Sequence, residues 1–154
     1  MRILQSKELD DFRAEAREWL DANVPRRRRP RDGWALREYD TDWQRRQFDG
    51  GWAGVSWPEA YGGRGLSLLQ ELIWHEEYSR AGAPPSASMF VALSNIGPTL
   101  IIRGSEEQKS EHLPKILKGE RVWCQGFSEP GAGSDLGALK TRGDVDGDHL
   151  VING

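Results

Sequence analysis

The sequence has few of the features that define several large classes of protein. It contains one cysteine, Cys124, so it can form no internal disulfide and can build no zinc or iron–sulfur site from cysteines alone. No apolar run is long enough to cross a membrane, and the chain starts without the apolar stretch of a secretory signal. We therefore expect a cytoplasmic protein with no membrane span, in which Cys124 is a small buried hydrophobe on a strand.

An excess of charge of one sign is also missing. The 21 basic and 24 acidic residues leave a formal net charge of −3, which gives no general attraction to nucleic acid or anionic lipid. The arginine-rich residues 26–31 resemble a nucleic-acid patch when taken alone, but no aromatic residue lies among them. We predict a solvated loop between two helices there, and no nucleic-acid partner.

Tryptophan and helical periodicity, by contrast, are abundant. Seven tryptophans in 154 residues supply a large apolar area for a core. Apolar residues at helical spacing, serine caps and terminating glycines or prolines predict helices over residues 6–25, 36–48, 67–81, 86–103 and 105–113, with a compact loop at 57–65. Ser67 with Gln70 and Ser105 with Gln108 are candidate capping boxes. The most apolar stretch, residues 86–103, is expected to be a buried helix with a kink or a restart at Gly97-Pro98.

After Gly119 the pattern changes to that of strands. Strands are predicted over residues 121–128, 139–145 and 149–152, and Asp146-Gly147 between the last two predicts a tight antiparallel hairpin of type I′. The sequence thus predicts an α+β fold. A helical domain would cover residues 1–118, and residues 119–154 would form the first antiparallel strands of a truncated β-domain.

A glycine-rich turn follows the first predicted strand. Backbone N–H groups in Gly131-Ala132-Gly133-Ser134 can approach phosphate oxygens closely, because the glycines have no Cβ. The hydroxyls of Ser128 and Ser134 add polar contacts, and together they favour a cofactor with a phosphate and a planar ring. An ordinary strand-to-strand turn would have the same composition. A dinucleotide-binding fingerprint is disfavoured, because its third glycine would fall at Leu136 and no helical pattern follows.

The segment FSEPGAGSD, residues 127–135, resembles the signature of the acyl-CoA dehydrogenase family. Three other segments agree with the family in order and spacing: WPEAYGG at residues 57–63, GSEEQK at 104–109 and DHLVING at 148–154. The resemblance implies an N-terminal helical domain, a middle β-domain and a C-terminal helical bundle. This chain would contain the first domain and the opening strands of the second, without the bundle.

The resemblance also implies a function. Family members remove the α-proton of an acyl-CoA with a glutamate base while a hydride passes from the β-carbon to N5 of FAD, and the electrons go to an electron-transfer flavoprotein. FAD would be bound by the residues that match the motif: Gln125, Phe127, Ser128, Gly133 and Ser134. Ser134 would also lie near the acyl-CoA thioester, and residues 86–102 would line the pocket for the acyl tail.

No catalytic residue is predicted within the chain. The resemblance places the glutamate base in the C-terminal bundle, so we expect these residues to be an inactive fragment of a homo- or hetero-oligomeric enzyme. Glu129 is predicted to be a structural carboxylate that pairs with backbone or arginine, and the Glu76-Glu77 pair to be an exposed helix face. The histidines share no motif and are expected at the surface or in packing: His75, His112 and His149. An alternative hypothesis is a non-catalytic binding or regulatory subunit that docks on a complete dehydrogenase through an open sheet edge.

Overall fold

A computed structural model describes residues 6–154, which form two compact units. The helical unit ends at Trp123, and the signature unit comprises Cys124–Gly154. The helical unit contains α1 (Lys7–Asn23), α2 (Gly33–Asp49), α3 (Leu68–Arg80), a π segment (Val91–Ile96), α4 (Gly97–Arg103) and α5 (Glu106–Leu117). The signature unit contains β1 (Arg142–Asp146) and β2 (His149–Asn153). The predicted α+β order is confirmed, and none of the described helices is long and apolar enough to cross a membrane.

Serine caps begin three of the helices at the predicted positions. Ser6 Oγ accepts a hydrogen bond from a backbone N–H of the first turn of α1 at 3.2 Å. Ser67 with Gln70 and Ser105 with Gln108 both form complete capping boxes. Each box satisfies two backbone N–H groups that the first helical turn would otherwise leave unpaired.

Two clusters of buried side chains hold the helical unit together. The indole core joins α1, α2 and α3, and consists of Phe12, Ala16, Leu20, Trp43, Trp52, Val55, Ile73 and Trp74. The Trp57 cluster joins the residues around the π segment to α5, and consists of Ala53, Trp57, Met89, Ala92, Leu113, Ile116 and Leu117. Within the indole core the rings of Trp52 and Trp74 stack 4.5 Å apart, 11° from parallel. Four tryptophans, Trp43, Trp52, Trp57 and Trp74, therefore supply core area, whereas Trp34 is exposed.

Gly97-Pro98 explains the π segment. The Gly97 N–H donates to the carbonyl of Ala92, five residues back, rather than to that of Leu93. Pro98 has no N–H, so the next residue offers the Leu93 carbonyl no backbone donor either. The indole Nε1 of Trp57 donates to that carbonyl instead, at 3.0 Å. Gly97 has no room for a side chain, because a Cβ there would overlap the Trp57 ring.

The break predicted at Gly97-Pro98 is confirmed, because α4 begins at Gly97, but the prediction of a buried helix over residues 86–103 is wrong in its start and in its burial. Residues 87–89 form a turn, and the helix that follows starts at Phe90 and changes from π to α geometry at Gly97. Only one face is buried, because Phe90 is 54% exposed and Ile102 is 72% exposed, while Met89 and Ala92 pack in the Trp57 cluster. The opposite face has no packing partner among the described residues.

The predicted exposed face at Glu76-Glu77 is wrong for Glu77. The side chain of Glu77 is only 2% exposed, because α1 packs across this face of α3. Its carboxylate accepts hydrogen bonds from Arg13 and Arg17 of α1, at 2.8–2.9 Å, and from Arg80 at 2.6 Å. These bonds lower the pKa of Glu77 to about 2, and the bond from Arg17 contributes most. Glu76 remains half exposed and pairs with Arg13.

The arginine-rich residues 26–31 form the predicted loop between α1 and α2, but they are not uniformly solvated. Arg29 makes two hydrogen bonds, of 2.7 and 2.5 Å, to the buried carboxylate of Asp40 in α2. The Ser88 hydroxyl donates to the same carboxylate at 2.5 Å. Arg27 forms an exposed ion pair with Asp42. Arg27 and Arg29 thus fasten the loop to α2. The buried Asp40 carboxylate is paired with Arg29 and hydrogen-bonded by Ser88, as a buried charge requires.

The signature unit contains the predicted hairpin. Strands β1 and β2 pair antiparallel from Arg142 opposite Asn153 to Asp146 opposite His149, which leaves Gly147 and Asp148 as the connection. Gly147 has φ of 61°, a conformation that glycine adopts without strain. The turn therefore begins one residue later than Asp146-Gly147 suggests. Every residue of both strands is exposed.

The strand predicted over residues 121–128 is not formed. Its backbone has no neighbouring strand among the described residues, so its N–H and C=O groups do not enter a ladder. Cys124 is consequently exposed rather than buried on a strand. The composition favours a strand, but a strand needs a partner that the described residues do not supply.

Candidate functional site

The signature segment, residues 125–135, forms an exposed arm and a tight turn. Residues 125–128 are irregular and exposed. A β-bridge then joins Glu129 to Ala132 through two backbone hydrogen bonds of 3.0 Å, with Pro130 and Gly131 at the tip. Ala132 is buried, while the residues around it are open to solvent. The bridge fixes the turn that the glycine-rich sequence predicts.

Glu129 ties this turn to the start of the hairpin, which confirms its predicted structural role. Its carboxylate accepts hydrogen bonds from the backbone N–H of Lys140 at 2.9 Å and from that of Thr141 at 2.6 Å. The bonds from Thr141 and Lys140 lower the pKa of Glu129 below its ordinary value. A carboxylate that is held ionised by two donors is a poor proton acceptor for a carbon acid. Glu129 therefore organises the segment and is not a candidate base.

The glycines of the turn face open space. A Cβ placed on Gly131 or on Gly133 would meet no other atom of the chain within 4 Å, and neither glycine has the positive φ that favours glycine. Neither internal packing nor backbone strain therefore requires glycine at these two positions. The open turn leaves its backbone N–H groups accessible to a ligand, and turns of this kind suit phosphate groups.

The predicted site residues lie along this one segment. Gln125, Phe127 and Ser128 precede the bridge, and Gly133 and Ser134 follow it, so the turn joins the two groups. Phe127 is 67% exposed. Among the described residues, no hydrogen bond engages the hydroxyl of Ser128 or Ser134. Two free hydroxyls, an open glycine turn and an exposed aromatic ring fit the edge of a planar cofactor with a phosphate chain.

The titratable side chains elsewhere do not assemble a second site. His75 lies exposed on α3, His112 contacts Arg121 and packs edge-on against Trp123, and His149 lies exposed on β2. Within residues 6–154 no three histidine, cysteine or acidic side chains are placed to hold a metal ion. The buried carboxylates Glu77 and Asp40 had no sequence signal, because charged residues at helical spacing are typical of solvated faces.

Comparison with known proteins identifies the family of this chain. The profile of the acyl-CoA dehydrogenase N-terminal domain matches residues 6–120. The chain is 39% identical over 155 residues to acyl-CoA dehydrogenase IpdE1 of Mycobacterium tuberculosis, with 96% of this chain and 40% of the relative aligned. The chain therefore belongs to the acyl-CoA dehydrogenase family. It spans about two fifths of the length of that relative.

Solved structures agree with this assignment. The Tcur3481-Tcur3483 steroid ACAD matches all of this chain and 40% of its own, with a TM-score of 0.77 and 39% identity. The ChsE4-ChsE5 complex from Mycobacterium tuberculosis matches 100% of this chain and 39% of its own, with a TM-score of 0.76 and 32% identity. A glutaryl-CoA dehydrogenase from Mycobacterium smegmatis, in complex with FADH2, has a TM-score of 0.67 and 25% identity, over 97% of this chain and 38% of its own. The helical domain followed by an antiparallel hairpin is thus the N-terminal architecture of acyl-CoA dehydrogenases.

Proposed function

We propose that this chain is the N-terminal part of an FAD-dependent acyl-CoA dehydrogenase that converts an acyl-CoA thioester into its trans-2-enoyl-CoA. The observation that carries the proposal is the open signature turn, in which Gly131 and Gly133 face space that no atom of the chain fills. Family membership supplies the reaction class, and lipid metabolism in the cytoplasm would be its setting. The acyl-CoA is the substrate, and an electron-transfer flavoprotein would take the electrons.

The signature segment would hold the flavin edge. The backbone of Phe127, the side chain of Gln125 and the hydroxyl of Ser128 would border the ring system, and Gly133 with Ser134 would bind the phosphate chain. When bound, FAD supplies the hydride acceptor. Ser134 would also contact the thioester. The Glu129–Ala132 bridge joins the two halves of the segment, and the Glu129 carboxylate fastens the turn to the backbone of residues 140 and 141.

The proton acceptor would come from another part of the enzyme. Glu129 is engaged by two backbone donors, and Glu77 is surrounded by three arginines. Carboxylates held in this way stay ionised near neutral pH, so they do not accept a proton from the substrate. We therefore propose that the 154 residues alone bind FAD weakly and do not turn over acyl-CoA.

The test is an assay of the purified chain with FAD, a panel of acyl-CoAs and an artificial electron acceptor. We expect the flavin to be lost on gel filtration and no turnover to be seen. Stoichiometric flavin that survives gel filtration, or measurable turnover by these residues, would overturn the proposed dependence on further sequence. Sequencing the gene beyond codon 154 provides the complementary test, since we expect the reading frame to continue into a helical bundle that carries a glutamate base.

A second candidate is a non-catalytic subunit that docks on a complete dehydrogenase. Exposed apolar side chains on the hairpin favour it: Val145 is 78% exposed, Leu150 is 67% exposed and Ile152 is 69% exposed. One similar structure is named as the ChsE4-ChsE5 complex, and another is named as a steroid ACAD. We therefore propose a hetero-oligomer for the assembly and a steroid-derived acyl-CoA for the substrate. Co-purification of a complete dehydrogenase with the chain would support docking, and a monodisperse chain that captures none would contradict it.

A further inference from the structure

A groove of about 540 Å³ lies between α5, the end of α2 and the loop of residues 57–63. Its lining belongs entirely to the helical unit, so the FAD-binding residues proposed above play no part in it. None of residues 86–102, which are expected to line the acyl-tail pocket, contributes to it. Its volume falls within the range of about 300–1,000 Å³ that small-molecule sites occupy. This α5 groove is therefore separate from both parts of the proposed dehydrogenase site.

The lining of the α5 groove is largely apolar. Leu113 and Leu117, which are buried in the Trp57 cluster, line it together with the half-buried rings of Phe48 and Tyr61. Flat aromatic rings beside branched aliphatic side chains give a surface that suits the apolar body of a small ligand.

Contacts behind the groove hold its sides in place. Gln44 of α2 donates to the Leu117 carbonyl at 2.8 Å, and Arg45 donates to the Lys118 carbonyl at 3.0 Å, so the end of α5 is fastened to α2. Gly62, with φ of 84°, lets the loop approach α5 closely, since a Cβ there would come within 2.9 Å of Leu117 Cδ1. A ligand would therefore enter a groove that is already formed, without the cost of ordering it.

Two lysines give the lining its charge. Lys109 Nζ lies 5.6 Å from the centre of the Tyr61 ring and pairs with Glu106 at 2.9 Å, a bond that raises the pKa of Lys109. Lys118 Nζ lies 5.6 Å from the centre of the Phe48 ring, and no carboxylate among the described residues pairs with it. The lining therefore carries one unpaired positive charge beside the rings that an apolar ligand would contact.

This charge defines the ligand. A cation would be repelled by the Lys118 ammonium group, and a neutral molecule would leave that group without a counterion. A carboxylate matches its single charge, and an ion pair with the half-exposed Lys118 side chain keeps part of its hydration, so it costs little desolvation. Aromatic walls with one unpaired ammonium group suit an aromatic ligand with one negative charge.

We propose that the α5 groove binds a small aromatic carboxylic acid, whose carboxylate pairs with Lys118 and whose ring lies against Phe48, Tyr61 and Leu117. Binding needs neither flavin nor turnover of acyl-CoA. Failure of this inference is therefore distinguishable from failure of the proposed dehydrogenase function.

The experiment titrates the ¹⁵N-labelled chain with 2-naphthoate, its neutral analogue 2-naphthamide and acetate, and follows the backbone amide signals by NMR. We expect 2-naphthoate to shift the amides of Gly62, Leu113 and Lys118 and to bind about fivefold more tightly than 2-naphthamide, as an exposed ion pair of about 1 kcal/mol gives. High salt should remove this advantage. Acetate, which has no apolar body, should bind more weakly than 2-naphthoate. The Gly147 amide of the hairpin is the internal control and should not shift.

Variants test the ion pair itself. Lys118→Met removes the charge and keeps an unbranched side chain, so 2-naphthoate should lose its about fivefold advantage while 2-naphthamide binds as before. Lys115→Met makes the same change on α5 outside the lining and should leave both affinities unaltered.

Three results would overturn the inference. The first is equal binding of 2-naphthoate and 2-naphthamide, and the second is a titration with 2-naphthoate in which the groove amides do not shift. The third is a shift of these amides with chain concentration in the absence of ligand, which would mean that a second copy of the chain covers the groove. All three are read on the unmodified chain. The inference therefore stays testable if Lys118→Met does not fold.

Discussion

Gly97 of the helical unit and the two glycines of the signature turn have opposite surroundings. In the helical unit, Gly97 lies against the Trp57 ring, which leaves no room for a Cβ. In the signature unit, Gly131 and Gly133 face open space within the chain. Packing inside the molecule requires glycine at position 97, whereas no contact within the chain requires it at positions 131 and 133. Substitutions in the helical unit should therefore change stability, whereas those in the signature turn should change ligand binding.

The largest effect is expected at Glu77. Glu77→Gln removes the negative charge that three guanidinium groups share, and the loss of a buried ion pair of this kind costs about 3 kcal/mol of unfolding free energy. Chemical denaturation followed by tryptophan fluorescence measures it. Glu76→Gln is the matched control, because Glu76 is 52% exposed and its single pair with Arg13 is worth less than about 1 kcal/mol. Equal losses for the two variants would contradict the special role of Glu77.

The same carboxylate predicts how stability depends on pH. The folded state lowers the pKa of Glu77 from 4.5 to about 2, mainly through the hydrogen bond from Arg17. A lowered pKa stabilises the fold above the unfolded value, and this contribution is lost as the pH falls from about 4.5 towards 2. Unfolding measured across that window should show a steeper decline for the parent chain than for Glu77→Gln. Parallel declines would mean that other groups dominate acid unfolding.

Gly97→Ala tests the packing side of the comparison directly. The new Cβ would overlap the Trp57 ring, and moving that ring breaks its hydrogen bond to the Leu93 carbonyl. We expect a loss of about 2 kcal/mol in urea unfolding, as for other overpacked cores. Gly133→Ala is the matched change in the signature unit, and it should leave the unfolding midpoint unchanged. In a complete flavoprotein, however, it should weaken FAD binding. A large stability loss at Gly133 would end the distinction between the two kinds of glycine.

Features of the fold also differ in how well the sequence predicts them. Capping boxes at Ser67 and Ser105 and the hairpin were predictable because a few adjacent residues determine them. The burial of Glu77 was not, since it depends on arginines about sixty positions earlier in the chain. The strand expected at residues 121–128 has no partner strand among the described residues. Local patterns predict element type, and distant partners decide burial.

The candidate site differs from the helical core because it is local in sequence. Residues 125–134 form one continuous segment, so the motif alone is enough to propose FAD-binding residues, and these remain predictions. The sequence also suggested that Glu129 pairs with backbone, and it does. The Trp57 cluster had no such signal, because its members come from residues 53–57, from the π segment with the turn before it, and from α5. No local pattern records such convergence.

A smaller effect is expected at Ser88. Ser88→Ala removes the hydroxyl that donates to the buried Asp40 carboxylate, while Arg29 keeps both of its hydrogen bonds to that group. The loss of one hydrogen bond to a charged group predicts a destabilisation of about 1–2 kcal/mol in urea unfolding. Ser79→Ala is the control, because Ser79 is exposed on α3 and its hydroxyl has no partner among the described residues. If both variants unfold at the same midpoint, Ser88 adds nothing to the Asp40 pair.

The smallest effect on global stability is expected at Glu129, where the local consequence is nevertheless clear. Glu129→Gln replaces an ionised acceptor of two backbone N–H groups by a neutral amide, which bonds more weakly and to fewer donors. Hydrogen exchange at the amides of Lys140 and Thr141 should therefore accelerate, while the unfolding midpoint of the helical unit stays unchanged. Asp135→Asn controls for the loss of one charge in the same segment and should leave both amides protected. Because the pKa of Glu129 is lowered by these bonds, the parent chain should lose the same protection only under acidic conditions. Unaltered exchange at Lys140 and Thr141 in Glu129→Gln would show that the signature turn is held by its β-bridge alone.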